Sequence, residues 1–136
     1  MTDRELLDKA KEAWKYAYTP YSKFSVGAAI LTKSGAVYTG CNVENSSFGL
    51  TCCAERVALF KAVSEGERDF LKLAVVGQEN TSVLPCGACR QVLFEFAPDI
   101  TIITLQNNRI KSYSLKELLP EGFELQGKRK KDKRIR

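Results

Sequence analysis

Two cysteine motifs place the strongest constraint on how this chain can fold. Cys53 stands two residues before Glu55 in a Cys-Ala-Glu-Arg motif, and Cys86 and Cys89 form the pair of a Pro-Cys-Gly-Ala-Cys-Arg motif. Three thiolates are a ligand set that zinc accepts, and a site with three protein ligands leaves a fourth metal position for water. If all three sulfurs bind one metal, the fold must bring two distant segments of the chain together.

The chain has 136 residues and no histidine. This excludes Ser-His-Asp and Cys-His catalysis as well as an imidazole zinc site, so thiolates would hold any metal. The segment Met1–Glu5 is charged where a signal peptide would turn apolar, and no run approaches the roughly 20 apolar residues of a membrane span. We therefore predict a cytoplasmic protein with no membrane partner, whose five cysteines serve metal binding or catalysis rather than disulfides.

The basic charge of the chain is concentrated at its end. The formal net charge is +5, but residues 128–136 contain seven lysines and arginines and one aspartate, so the remainder is nearly neutral. No aromatic residue is interleaved with these basic residues to stack on bases. We predict a single domain over residues 1–126, a disordered and solvated tail over residues 127–136, and no nucleic-acid partner.

The order of apolar segments predicts an α/β fold. The predicted strands are Val26–Leu31, Ala36–Cys41, Phe70–Gly77, Ile100–Leu105 and Arg109–Tyr113. The predicted helices are Asp3 to about Tyr18, Cys53 to about Gly66, Gly87 to about Phe96, and a short one that a capping box begins at Ser114. Alternating strands and helices in the middle of the chain predict parallel pairing through right-handed crossovers. Residues 106–108 are too few for a crossover, so the last two strands should form an antiparallel hairpin in a mixed five-stranded sheet with helices on both faces, a three-layer α/β/α fold.

Both cysteine motifs stand where a predicted helix begins. The unpaired N–H groups and the positive dipole end of a helix favour thiolate over thiol. Three thiolates make zinc electron-rich, which weakens it as an activator of water. Arg56 follows Glu55 and Arg90 follows Cys89, so either guanidinium can hydrogen-bond a ligand sulfur and withdraw charge. The alternative is that each is a surface arginine in a salt bridge.

Glu55 is a candidate proton carrier. Two residues from Cys53, its carboxylate can reach a water on the metal without joining the coordination shell, take its proton and return it elsewhere, so that hydroxide attacks an electrophilic carbon. Two alternatives stay open on the residues alone. Cys52 could close a structural four-cysteine site, or Cys86 and Cys89 could be a redox pair.

The residues around the motifs resemble a known family. The pairing of Cys-Ala-Glu with Pro-Cys-x-x-Cys is similar to the zinc deaminase signature, and residues 53–66 resemble the small tetrameric cytidine deaminases. The resemblance runs from the first predicted helix to about Phe123, and Phe48 departs from it because relatives often have tyrosine there. It includes three further segments, Pro20–Phe24, Gly40–Asn45 and Leu118–Pro120.

The resemblance implies a fold, a metal and a reaction. It implies the cytidine deaminase-like fold, one zinc ion per subunit on Cys53, Cys86 and Cys89, and zinc-dependent hydrolysis of cytidine and deoxycytidine to uridine and deoxyuridine, with release of ammonia, in pyrimidine salvage. Glu55 would shuttle protons between water, N3 of cytosine and the departing amine while hydroxide adds at C4.

The resemblance also implies how the nucleoside is bound. Phe24 matches an aromatic residue that packs on the pyrimidine, and Asn42 and Glu44 match a pair that hydrogen-bonds the ribose hydroxyls. Two apart on an extended segment, these two side chains point to the same face. Ala54 matches a position whose backbone N–H contacts the base carbonyl. Phe123 matches an aromatic residue that reaches the active site of a neighbouring subunit, which implies a homotetramer with active sites at subunit interfaces.

Three rival functions share some of these features. A deaminase of a modified cytosine nucleoside, such as a blasticidin-S deaminase, would share the zinc motif and differ in sugar recognition, so Asn42 and Glu44 favour cytidine. The resemblance separates the chain from RNA and DNA deaminases, whose extended folds carry a helix between the last two strands that residues 106–108 exclude, and the neutral body lacks a basic face for phosphates. A structural zinc module would bind metal and be indifferent to the loss of Glu55.

Overall fold

A mixed sheet of five strands forms the centre of the structure, a computed structural model that describes residues 1–125. The strands are β1 (Val26–Thr32), β2 (Val37–Cys41), β3 (Phe70–Gly77), β4 (Thr101–Gln106) and β5 (Arg109–Ser114). The helices are α1 (Asp3–Trp14), α2 (Ala54–Ser64), α3 (Gly87–Phe96) and α4 (Leu115–Leu118), with short 3₁₀ segments at Phe48–Leu50 and Gln78–Asn80. Every predicted helix and strand is present. The predicted tail, residues 127–136, lies outside the described residues.

The order of strands across the sheet is β2-β1-β3-β4-β5. β3 and β4 pair in parallel through α3, and β4 and β5 form the predicted antiparallel hairpin, whose turn residues Asn107 and Asn108 both have left-handed φ values. The expected parallel pairing of β2 with β3 is wrong, because β1 lies between them and is antiparallel to both. The mixed five-stranded sheet itself is confirmed.

One face of the sheet is covered by α1. Thr2 caps this helix in a capping box with Glu5, and the helix ends at Trp14 rather than near Tyr18. The residues buried between α1 and the sheet are Leu6, Leu7, Ala10, Ala29, Ala74, Val76, Ile103 and Leu105. Within residues 1–125, neither α1 nor any other helix has the length and apolar character needed to cross a membrane.

The opposite face of the sheet is covered by α2, α3 and α4. Buried residues on this face include Ala28, Ile30, Leu59, Leu73, Val75, Leu93, Ile102 and Leu115. The fold therefore has the three layers that the sequence predicts. Because α2 and α3 lie side by side on one face, the two segments that begin them also come together.

Two glycines let the helices approach the sheet closely. A Cβ added to Gly27 in β1 would lie 1.9 Å from the backbone oxygen of Ala10 in α1. A Cβ added to Gly40 in β2 would lie 2.5 Å from the backbone nitrogen of Ala58 and 2.6 Å from the backbone oxygen of Ala54, both in α2. The backbones of both helices are thus in contact with the sheet at these positions.

Candidate metal centre and active site

The three cysteines of the two motifs meet where α2 and α3 begin. Cys53 is the N-cap of α2 and Cys86 is the N-cap of α3, with Cys89 in the first turn. The sulfur atoms of all three lie within 4.8 Å of one another, and those of Cys53 and Cys86 are 3.8 Å apart. Among the described residues this is the group that can hold a metal, and Cys52 is not part of it. The arrangement therefore has three ligands and an open fourth position, as a catalytic zinc site does.

The electrostatics of the cluster favour thiolate at Cys53. A hydrogen bond with Cys89, together with one from Arg56, lowers the pKa of Cys53 to about 5. The same bond with Cys53, together with burial, raises the pKa of the Cys89 thiol. The backbone N–H of Cys89 donates to the sulfur of Cys86 at 3.5 Å, as the start of a helix allows. A divalent cation that replaces the shared protons fits this donor set, because thiolate sulfur is the ligand zinc prefers.

The two arginines that follow the motifs bind different partners. Nη2 of Arg56 donates to the sulfur of Cys53 at 3.5 Å and to the backbone oxygen of Thr51 at 3.5 Å. The guanidinium of Arg90 instead donates to backbone carbonyls, from Nε to Pro85 at 2.7 Å and from Nη1 to Leu118 in α4 at 2.8 Å. Arg56 thus touches a ligand directly, whereas Arg90 fixes the backbone just before the Cys86 motif.

Glu55 lies in the first turn of α2 and is 4% exposed. Burial raises the pKa of its carboxyl group to about 7, and the negative charge of Cys53 acts in the same direction. A buried carboxyl group with a pKa close to neutral can both accept and release a proton at physiological pH. The preceding residue, Ala54, is fully buried at the first position of the helix, where its backbone N–H has no carbonyl partner within the helix.

Asn42 holds the segment that carries Phe24. Its side-chain Nδ2 donates to the backbone oxygen of Phe24 at 2.9 Å, and its Oδ1 accepts from the backbone N–H of Val26 at 2.9 Å. The ring of Phe24 lies against Gly77 at the end of β3, where an added Cβ would be 2.6 Å from Cζ of the ring. The sequence identified Phe24 and Asn42 but not their contact, and it missed Gly77, whose only signal was a glycine at the end of a buried strand.

Glu44 is buried and holds the part of the same loop that precedes Phe24. Its Oε1 accepts from the backbone N–H groups of Tyr21 and Ser22, each at 3.1 Å, and its Oε2 accepts from the hydroxyl of Ser22. That hydroxyl in turn accepts from the backbone N–H of Phe24 at 3.1 Å. The hydrogen bonds from Ser22, with that from Tyr21, lower the pKa of Glu44 below its ordinary value. Ser22 was not singled out from the sequence, although it lies in the segment Pro20–Phe24.

Phe123 lies on the segment that follows α4. The side chain of Gln91 in α3 donates to the backbone oxygen of Phe123 at 3.0 Å, and Phe123 is 64% exposed. Phe48, where relatives often have tyrosine, is 61% exposed in the 3₁₀ segment before α2. Both are large apolar side chains that the described chain leaves largely uncovered.

Comparisons with known proteins agree with this geometry. The cytidine and deoxycytidylate deaminase zinc-binding region matches residues 1–105. The chain is 52% identical over 124 residues to a cytidine deaminase of Halalkalibacterium halodurans, covering 89% of this chain and 94% of that protein. It is also 32% identical over 126 residues to a blasticidin-S deaminase of Bacillus cereus, covering 87% of this chain and 89% of that protein.

The fold is similar to a solved structure. The crystal structure of cytidine deaminase from Burkholderia pseudomallei superposes with a TM-score of 0.85 and 46% identity, covering 90% of this chain and 100% of that one. The predicted fold, hydrolase class and zinc cofactor are confirmed together. The chain with its three-sulfur cluster belongs to the family of zinc-binding cytidine and deoxycytidylate deaminases.

Proposed function

We propose that this chain deaminates free cytidine and deoxycytidine, giving uridine and deoxyuridine with release of ammonia. The observation that carries the proposal is the buried carboxyl group of Glu55 beside a three-sulfur metal site with an open position. A closed structural site has four protein ligands and no use for a neighbouring acid. The matched proton carrier therefore favours hydrolysis over a structural role for the metal.

The proton transfers fall to Glu55. Zinc, when held by Cys53, Cys86 and Cys89, supplies a Lewis acid that lowers the pKa of water toward neutral. Glu55 takes the proton of the attacking water and delivers it to N3 of cytosine as the hydroxyl group bonds to C4. The carboxyl group then carries the hydroxyl proton to the exocyclic amine, the C4–N bond breaks, and ammonia leaves. A pKa of about 7 suits both directions of transfer.

The residues beyond the metal are suited to a nucleoside. Phe24 supplies an apolar ring for the pyrimidine, and the backbone N–H of Ala54 supplies a donor for its carbonyl. One N–H of the Asn42 Nδ2 group donates to the backbone oxygen of Phe24, and the second can donate to a sugar hydroxyl. Glu44 keeps lone pairs beyond its bonds to the loop, so it can accept from a sugar hydroxyl as well.

We also propose that the enzyme is a homotetramer whose active sites lie between subunits. The support is a set of exposed apolar side chains that a monomer would leave in water. These are Val43, Phe48, Leu50, Phe123 and Leu125, exposed by 44 to 79%. In this assembly Phe123 reaches the site of a neighbouring copy.

Charge and redox chemistry support the proposed substrate class and cellular location. Outside residues 128–136 the chain is nearly neutral, which supports a free nucleoside rather than a polynucleotide as substrate. All five cysteines are free thiols, and three of them are needed as metal ligands. Such thiols persist in a reducing compartment, which supports a cytoplasmic location.

A spectrophotometric assay tests the proposed function. The zinc-loaded protein should consume cytidine and deoxycytidine, with loss of the cytosine absorbance, and should leave CMP and adenosine unchanged. Glu55→Gln should retain zinc but lose activity by about a thousandfold or more. A zinc-loaded wild type that consumes no cytosine nucleoside contradicts the proposal, and a fully active Glu55→Gln variant contradicts the proton carrier.

Blasticidin S is the informative additional substrate. The similarity to a blasticidin-S deaminase favours this modified nucleoside as a second candidate. Its sugar differs from the ribose that Asn42 and Glu44 are proposed to bind. We therefore expect the enzyme to prefer cytidine. Consumption of blasticidin S without consumption of cytidine would reverse that assignment.

A further inference from the structure

The segment that carries Phe24 is joined to the end of β3 by two hydrogen bonds with Gln78. In the antiparallel ladder of β1 and β3, Val26 pairs with Gly77. One residue further, the backbone N–H of Gln78 donates to the backbone oxygen of Ser25 at 2.8 Å. The backbone N–H of Ser25 donates to the side-chain Oε1 of Gln78, also at 2.8 Å. The side chain of Gln78 therefore extends the ladder by one more step.

The backbone of Gln78 cannot make this second bond because the chain turns there. Its backbone oxygen accepts from the N–H of Thr81 at 3.1 Å and from the hydroxyl of Thr81 at 2.8 Å. Glu79 and Asn80, which follow β3, have left-handed φ values of 57° and 61°. Without the side-chain oxygen, the partly buried N–H of Ser25 would lose its acceptor, which is costly for a backbone group.

The position of Ser25 decides where the ring of Phe24 lies. Ser25 directly follows Phe24, and the ring packs on Gly77, the residue before Gln78. The last residue of β3 thus supplies the surface for the ring, and the residue after it supplies the hydrogen bonds that keep the neighbouring backbone in register. Asn42 and Ser22 hold the other polar backbone groups of this segment.

We propose that Gln78 is a positioning residue for nucleoside binding, because its side-chain oxygen fixes Ser25 and thereby keeps the ring of Phe24 seated on Gly77. The inference rests on the proposed function, in which Phe24 contacts the pyrimidine. Gln78 acts through Ser25 and Phe24 and not on the reacting atoms. Its loss should therefore weaken binding of the nucleoside while leaving the chemical step nearly unchanged.

Three variants of the zinc-loaded full chain test the proposal. Gln78→Leu removes the acceptor at similar volume, and Gln78→Glu keeps an acceptor oxygen. Gln106→Leu is the matched control, since Gln106 is exposed at the end of β4. The measurements are KM and kcat for cytidine, zinc content, and the hydrogen-exchange rate of the Ser25 amide by NMR. Gln78→Ala serves as a second acceptor-free variant if Gln78→Leu does not fold.

We expect Gln78→Leu to raise KM about tenfold with kcat within about twofold of the wild type, full zinc content and faster exchange at Ser25. Gln78→Glu should restore KM to within a few fold, and Gln106→Leu should match the wild type. Unchanged KM would overturn the inference, and so would unchanged exchange at Ser25. So would loss of zinc, or a fall in kcat at constant KM, because either marks a structural role.

The two proposals fail in different ways. If the wild type consumes no cytosine nucleoside, the proposed function fails on that result alone. The exchange rate at Ser25 needs no activity, so in that case it still tests whether the side chain of Gln78 fixes Ser25 in this loop. An exchange rate that is the same in Gln78→Leu and the wild type overturns the inference.

Discussion

At the scale of single residues, Arg56 does most to separate this cluster from an ordinary cysteine pair. Its Nη2 contacts the sulfur of Cys53, and its Nε is buried with no hydrogen-bond partner within residues 1–125. A positive group that is held this close to a ligand sulfur stabilises the thiolate and draws charge from the metal site. We therefore expect the loss of Arg56, rather than of Arg90, to weaken metal binding.

We predict that Arg56→Gln weakens zinc binding by roughly ten- to a hundredfold. Competition with a zinc chelator of known affinity measures the effect. Arg109→Gln is the matched control, because Arg109 is an exposed arginine at the start of β5. Equal zinc affinity in the wild type and Arg56→Gln would show that the contact with Cys53 does not assist the metal.

Glu44 links the stability of the substrate loop to pH. Hydrogen bonds from Ser22 and Tyr21 lower its pKa from the ordinary value of 4.5, so the folded state binds a proton here less readily than the unfolded state. The stabilisation is therefore fully present above about pH 4.5 and is lost as the pH falls through the lower pKa of the folded state.

We predict that Glu44→Gln destabilises the protein at neutral pH and that the difference in melting temperature from the wild type shrinks on acidification. Thermal unfolding from about pH 7 to about pH 3 measures this difference. Glu12→Gln, a substitution at an exposed glutamate of α1, controls for the loss of a negative charge. A constant difference across this range would contradict the linkage to Glu44.

At the scale of elements, the approach of α2 to β2 sets where the first metal ligand lies. Gly40 admits the backbone of α2 at Ala54 and Ala58, and the N-cap of that helix is Cys53. A side chain at position 40 cannot be accommodated by a rotamer change, because the two nearest atoms it would meet belong to the backbone of α2. The helix itself would have to move.

We predict that Gly40→Ala lowers the free energy of unfolding by about 2 kcal/mol or more and reduces zinc affinity at the same time. Denaturant unfolding and chelator competition measure the two effects. Gly49→Ala is the matched control, since an added Cβ there meets no atom of residues 1–125 within 4 Å. A destabilised Gly40→Ala variant with wild-type zinc affinity would show that α2 and its ligand move independently.

The sequence was informative wherever the signal is local. The capping box at Ser114 and the helix start at Gly87 lie where the local pattern predicts them. The position of β1 was not predictable in this way, because a hairpin does not reveal which of its two strands pairs with the next one. The local residues predicted that β1 and β2 pair in antiparallel fashion. The position of β1 beside β3 depends instead on residues far apart in sequence, which are buried on the two faces of the sheet.

In the candidate site, too, the residues identified by local motifs were predictable, whereas the contacts between distant segments were not. The three cysteines and Glu55 could be identified because metal chemistry restricts residue type and spacing. The partner of Arg90 could not, since the Leu118 carbonyl lies 28 residues away in α4. The contacts of Phe24 with Gly77 and of Ser25 with Gln78 are likewise made by the folded sheet rather than by neighbours in sequence.

At the scale of the whole molecule, the proposed homotetramer makes each active site a shared structure. Phe123 and Glu55 would then serve one site from two different subunits. A variant without Phe123 would still have Glu55 in its own site. A variant without Glu55 would still provide Phe123 to the site of a neighbouring subunit. These complementary defects provide a direct test.

We predict that Phe123→Ala raises KM for cytidine by roughly tenfold. Mixing this variant with Glu55→Gln after reversible dissociation should restore a low-KM fraction, because some sites then combine Glu55 with Phe123 of a neighbouring subunit. Each variant that is dissociated and reassembled alone is the control. A mixture no better than the sum of its parts would place Phe123 within its own site, and sedimentation checks the assembly.

The three sulfurs also have a consequence for how the chain unfolds. Cys53 and Cys86 are 33 residues apart, so a metal that joins them to Cys89 closes a long loop as a covalent cross-link would. Chelation should lower the melting temperature by roughly 10 °C and speed unfolding, which stopped-flow measurements with and without chelator would detect. Equal unfolding rates with and without chelator would show that the metal is still bound in the transition state for unfolding, which would contradict this role. In this view the ion that activates water also slows the separation of α2 and α3 during unfolding.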